Sequence, residues 1–218
     1  MRRFYDLYQW MAFLIIYPFS LFVWIYILKD WNKVATISML PVLVAYVVPA
    51  IGTNLTGLWE FSGSGRLGKF RWYHGFVLGA SINIFGSMMY AFSPQYQGVG
   101  TTAMFAFVMG SFVAFWNWYY DIYAIKSGFI IVNNKAKAEG KSAEEITVIY
   151  APIYFFILGA VYGLYIKMAQ LHFAESVSWW LWFAVFMHIL ALVLPTAVYA
   201  CVSKKIDGNW GISKYSSL

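Results

Sequence analysis

Residues Ser142–Lys167 read SAEEITVIYAPIYFFILGAVYGLYIK. Ser142 followed three positions later by Glu145 is a capping box, in which side chains satisfy backbone N–H groups that the first helical turn leaves open. Behind it, residues 146–168 form an apolar run, and about 20 such residues cross the hydrocarbon of a bilayer. The stretch therefore predicts a membrane-crossing helix with a defined start. Working outward, five more runs of this kind lie at 9–28, 34–59, 73–92, 102–125 and 178–202. Ser93-Pro94 closes the third, because the residue before a proline is pushed out of helical conformation. The first follows Arg2 and Arg3 as a signal peptide would. Its apolar stretch is too long and no small-residue cleavage site follows, so it is expected to stay as a helix. Little chain remains between the runs. The expectation is an all-α polytopic membrane helix bundle with six transmembrane helices, forming a single integral membrane domain over 1–218.

Composition points the same way. Of 218 residues, 61% are hydrophobic, 22% aromatic and 11% charged, against roughly 25% charged in a soluble domain. Fifteen Lys and Arg against nine Asp and Glu give a net charge of +6. The basic residues sit in short connections and form no stripe, so they report orientation in a bilayer, and no nucleic-acid partner is expected. Twelve of them belong to the N-terminus, the second and fourth connections and the tail, whereas the other side holds Lys29, Lys33 and Lys167. That asymmetry predicts an even number of spans with both termini cytoplasmic. Cys201 is alone and cannot form an internal disulfide, and three histidines are too few for di-iron or haem-copper centres. Neither a metal nor another cofactor is expected.

In lipid, helices associate through small residues and polar contacts, since apolar burial gains little over acyl chains. Helical spacing of small residues therefore marks interior faces. The third run carries Gly75, Gly79, Asn83 and Gly86, the fifth Gly159 and Gly163, the sixth Ala184, His188, Ala191 and Pro195, and these faces are expected to meet. The second run repeats the spacing as Pro49, Thr53, Thr56, Glu60 and the fourth as Gly110, Ala114, Asn117, Asp121. Each of these two stripes ends in a carboxyl group. An ionisable group within a membrane is a functional candidate by default, so Glu60 and Asp121 are the candidate catalytic acids. A plainer reading stands beside it: near span ends, each acid can neutralise a nearby Lys or Arg. A carboxyl group in a water-poor chamber tends to hold its proton, and two acids sharing one chamber could protonate an alkene or epoxide.

Around these acids, Trp59, Trp116, Asn117, Trp118 and Tyr120 are candidate substrate-binding residues, the aromatic faces being suited to cationic intermediates. His188, near mid-membrane, joins them as a candidate, against the plainer role of a hydrogen-bonded packing residue. His74 stands nearer the acids. Trp10, Trp24, Trp31, Trp72, Trp179 and Trp180 fall where interfacial belts form. Gly63-Ser64-Gly65-Arg66-Leu67-Gly68 matches the dinucleotide pattern GxGxxG in letters only, since no strand and βαβ unit surround it. With Arg66, Lys69 and Arg71 it is a candidate phosphate or lipid-headgroup loop. Asn54-Leu55-Thr56 spells a glycosylation acceptor inside a span, where it is out of reach.

Asn54-Leu55-Thr56-Gly57-Leu58-Trp59-Glu60-Phe61 resembles the Asn-x-x-Trp-Glu-Phe stretch of paxilline-type membrane terpene cyclases, and Trp116 to Asp121 resembles their tryptophan-then-aspartate helix. Phe183 to His188, running on to Val193-Leu194-Pro195, is similar to the closing helix of the emopamil-binding sterol isomerases, whose fold is related. The resemblance covers about 45 of the 218 residues and, as fold analogy, does not itself give a function. It implies an intramembrane acid that protonates an alkene or epoxide, with aromatic and polar groups steadying the carbocation. The chain departs from it in several places. His188 stands where the isomerase helix has asparagine, Thr56 stands where the isomerases have histidine four before glutamate, and the cyclases' seventh-helix acid has no counterpart.

The leading expectation is an integral membrane enzyme performing proton-initiated cyclisation or isomerisation of a prenyl or sterol-like lipid, with membrane lipid and a hydrophobic small molecule as partners. A non-catalytic subunit of a membrane complex, packed against other membrane subunits, is the alternative. A small transporter is a third reading, disfavoured by the apolar outer halves of the second and fourth runs.

Overall fold

The computed structural model describes residues 2–63, 65–93 and 98–215. Six of its helices are long and apolar enough to cross a membrane: Arg3–Leu28, Trp31–Leu55, His74–Phe92, Val99–Lys126, Ala143–Met168 and Val177–Asp207, here the first to sixth spans. The chain is thus an all-α bundle, with two minimal two-stranded sheets among the described residues. Local chemistry sets the ends. The Ser142 hydroxyl accepts from Glu145 N at 3.3 Å while the Glu145 carboxylate accepts from Ser142 N at 2.8 Å, completing the expected capping box. Asp30 caps the second span by accepting from the amides of Asn32 and Lys33. Ser93 is extended after the third span; Pro94 lies outside the described residues.

The second span ends four residues sooner than its apolar run. Its last turn, Ile51–Leu55, widens into a π-helix, and Gly57 then takes a positive φ of 63°, a backbone state in which helices stop. The chain continues as a strand, β1 (Trp59–Phe61), which pairs antiparallel with β4 (Ile130–Val132) from the fourth connection. A smaller hairpin pairs β2 (Arg66–Leu67) with β3 (Phe70–Arg71). Glu60 is therefore a strand residue and does not continue the helical stripe of Pro49 and Thr53.

Small residues meet as expected in kind but with different partners. A Cβ on Gly159 would lie 2.8 Å from the Met109 carbonyl oxygen and 2.9 Å from Gly110 Cα. One on Gly163 would lie 3.0 Å from Ala106 Cα. The glycines of the fifth span thus press on the fourth. Those of the third span serve mainly the second, Gly75 against Tyr46 and Gly79 against Val42, and only Gly86 faces the fifth, at Tyr162. Asn83 ties the third span to both neighbours, donating to Ser38 O and accepting from the Tyr162 hydroxyl, at 2.9 and 2.8 Å.

The segments rich in Lys and Arg gather at one end. Tyr5 stacks on Phe129 at 4.9 Å between ring centres and Phe61 meets Phe129 at 5.8 Å. The tail joins them through Lys214 N to Thr56 O at 3.0 Å and Tyr215 N to Asn133 O at 2.9 Å. At the other end Lys33 reaches the Ala169 carbonyl. This common loop end is what an even number of spans requires. Two of the expected belt tryptophans are core residues: Trp24 is fully buried, and Trp180 stacks on Tyr165 and donates to Thr36.

Gly159→Ala places a methyl group where the fourth span's backbone runs, an overpacking that costs about 1–3 kcal/mol. Thermal unfolding in detergent should show a clear loss of stability, whereas Gly100→Ala, with open space at its Cβ, should leave the midpoint unchanged.

Candidate functional site

Helical spacing puts Asn117 and Asp121 on the interior face of the fourth span, where both are buried. Asp121 Oδ2 accepts a hydrogen bond from the Tyr150 hydroxyl at 2.8 Å. The neighbouring Lys126 pairs instead with Glu144 on the fifth span. Asp121 is thus not the neutralising partner of a surface cation. It opens onto a cavity of about 270 Å³ whose walls come from all six spans, β1, β4 and the tail.

The cavity occupies the loop-end half of the bundle. Its floor is near Val44, Ser81 and Trp116, and its sides carry Tyr8, Tyr154 and Thr196. Beyond the floor, Ile37, Leu40, Ile82, Met109 and Leu158 are fully packed. At the loop end β1 and β4 close it. Residues alternate sides along a strand, and the register pairs Trp59 with Val132, Glu60 with Ile131 and Phe61 with Ile130. Trp59, Phe61, Ile130 and Val132 all line the cavity, while Glu60 and Ile131 do not. The tail adds Ile212. Trp59 is seated by the absence of a side chain at Gly52, where a Cβ would collide with its indole.

The structure therefore separates the two expected acids. Glu60 faces away from the cavity, its side chain 30% exposed and its carboxylate 3.8 Å from Lys69 Nζ. The plainer reading holds for Glu60 and fails for Asp121. The cavity is also lined by an imidazole, His74, at the start of the third span, set against Phe61 at 4.5 Å between ring centres.

Of the expected substrate-binding residues, Trp59, Trp116, Asn117 and Tyr120 line the cavity with Asp121. Trp118 does not. Nor does His188, whose Nδ1 lies 2.8 Å from the Ala184 carbonyl one turn back and whose ring meets Tyr165, which makes it a packing residue. Sequence reasoning passed over Tyr150, Tyr154, Thr196 and Tyr199. A period-four pair of tyrosines early in the fifth span was the available signal for the first two.

The basic loop is also different from expectation. Arg71 is buried, bonded to Gln9 at 3.1 Å, to Tyr73 and to the Ser62 carbonyl, with Asp6 at 3.8 Å and its guanidinium 4.5 Å from the Phe129 ring. It clasps the loop end together and cannot hold a headgroup. Arg66 donates to the Phe61 carbonyl and Lys69 N donates to Asn54 Oδ1. Gly68, with φ of 66°, turns the β2–β3 hairpin. The glycines thus make turns, and the cations Arg66, Lys69 and Arg71 are drawn to protein groups.

No group of three or more His, Cys, Asp or Glu poised for a metal ion occurs among the described residues. Compared with known proteins, the chain matches no family model, no curated protein and no solved structure.

Arg71→Ala removes the donor that the buried Gln9 Oε1 accepts from, at about 1–3 kcal/mol for the unsatisfied group. It should lower the unfolding midpoint by several degrees, while Arg66→Ala on the exposed hairpin should scarcely move it.

Proposed function

We propose that the protein is an integral membrane enzyme that isomerises or cyclises a prenyl or sterol-like lipid by proton transfer, with Asp121 as the acid. One observation carries this reading: a buried carboxyl group, hydrogen-bonded to a tyrosine and to no cation, borders a mainly apolar cavity inside a membrane-type bundle. Small-molecule sites have this character, apolar walls with a few placed polar groups. Intramembrane ionisable residues are functional candidates on cost alone.

In the proposed step the Asp121 carboxyl adds its proton to an alkene carbon or an epoxide oxygen. The C=C π pair takes that proton, or an epoxide oxygen lone pair takes it and the C–O bond breaks with its electron pair passing to oxygen; either way a carbocation remains. The π faces of Trp59, Trp116 and Tyr120 bear on that charge. Loss of a proton from an adjacent carbon restores a double bond, and return of that proton to the Asp121 carboxylate regenerates the acid and keeps the reaction redox-neutral. Glu60 has no part in this scheme. The packed half beyond the cavity floor weighs against a transport path.

The test is turnover of prenyl and sterol alkenes and epoxides by the protein reconstituted in liposomes made in D2O. Product formed from an alkene should carry one carbon-bound deuterium at the position that was protonated. Asp121→Asn should lower the rate by about 100-fold or more, and Glu60→Gln should leave it near wild type. Undiminished turnover by the Asp121 variant, or no carbon-bound deuterium in product formed from an alkene, removes the proposal.

A further inference from the structure

The polar groups of the cavity are as informative as its carboxyl. Among the described residues its lining contains no Lys and no Arg. The nearby cations are committed elsewhere: Lys69 to Glu60, Lys126 to Glu144, Arg66 to the Phe61 carbonyl and Arg71 to its buried cluster. A phosphate or diphosphate entering here would be desolvated beside Asp121 with no cation facing it, which is strongly unfavourable.

Two lining groups have the opposite need. The hydroxyl of Tyr120 is buried and forms no hydrogen bond within the protein, and that of Tyr154, also buried, has only the Thr196 hydroxyl beside it, so both keep hydrogen-bonding capacity unfilled. Other buried polar atoms without a partner, such as those of Trp24, Trp118 and Tyr165, belong to residues that do not border the cavity. Leaving a buried hydroxyl unpaired is costly, so whatever occupies the cavity gains by completing these two. Each phenol both donates and accepts, as does an alcohol. A hydrocarbon offers neither partner, and a phosphate brings charge the site does not balance.

We infer that the cavity selects an uncharged lipid alcohol, its hydroxyl hydrogen-bonded by Tyr120 and Tyr154, and rejects the phosphorylated or sulfated form of the same lipid. This rests on the reading that the cavity is the substrate site, and it makes the two tyrosines specificity-determining residues distinct from the acid.

Binding tests it without requiring turnover. Purified protein in nanodiscs is titrated with two series: geranylgeraniol, its diphosphate and the hydrocarbon of the same skeleton; and cholesterol, cholesterol sulfate and cholestane. In at least one series the alcohol should bind about tenfold or more tightly than both other members. Tyr120→Phe and Tyr154→Phe should each weaken alcohol binding about 3- to 10-fold, the loss of one hydrogen bond, and leave hydrocarbon binding unchanged. Both variants keep the ring, and matching elution and unfolding midpoints establish that they fold. Equal or tighter binding of the charged member, alcohol binding by both phenylalanine variants as in wild type, or no saturable binding in either series overturns the inference. Alcohol preference without product formation removes acid catalysis and leaves this inference standing. Asp121-dependent turnover of a phosphorylated lipid does the reverse.

Discussion

Where Gly110 and Gly159 meet, the backbones of the fourth and fifth spans touch with no side chain between them, and neither helix can slide without a clash. The pairing then runs antiparallel along both helices. From Ala106 with Gly163 it passes to Gly110 with Gly159, on to Asp121 with Tyr150, and ends at Lys126 with Glu144. The glycine contact and the buried hydrogen bond belong to one register. In a bilayer, where apolar burial between helices is only weakly favourable, such close approach is the main means of holding that register. The partner of the acid is thus chosen by glycines about three helical turns away along the same spans.

The strand pairing at the loop end has a similar all-or-none character. Side chains alternate along a strand, so a slip of one residue exchanges every inward and outward position. In the observed register Trp59, Phe61, Ile130 and Val132 close the cavity, and Glu60 is sent toward Lys69. The opposite register would turn Glu60 and Ile131 inward. Asn133 N donates to Leu58 O, and Lys214 N and Tyr215 N of the tail donate to Thr56 O and Asn133 O, which holds the strands against that exchange.

These two constraints explain what the sequence disclosed. The spans were legible because each is a long apolar run, and the start of the fifth because its capping box is local. The end of the second was not, since Trp59 and Phe61 are apolar enough to extend a helical run and three residues give too little alternation to reveal a strand. That misreading placed Glu60 on a helix stripe it does not join. Asp121 was legible because Gly110, Ala114 and Asn117 mark its face within one unbroken helix. The identity of each stripe's partner was not, because glycines on four helices offer many equivalent pairings and only packing selects among them. His188 and Arg71 show a further limit: spacing places a polar residue on an inner face, but whether a carbonyl or a ligand receives it depends on neighbours distant in the chain.

The arrangement of charge at the loop end separates Asp121 from Asp6, Glu60, Glu139 and Glu144. Asp6 meets Arg71, Glu60 meets Lys69, Glu139 meets Lys135 and Lys141, and Glu144 meets Lys126. Asp121 meets a phenol. An acid paired with a cation holds its charge and is inert toward a hydrocarbon, whereas one whose neighbours are neutral dipoles can exchange its proton without breaking an ion pair. A cation facing Asp121 would remove that property, and among the described residues the cavity lining contains no Lys or Arg to do so. The sharp division between a salt-bridged outer surface and a cation-free cavity is therefore consistent with proton chemistry within and electrostatic anchoring without, on opposite sides of one three-residue strand.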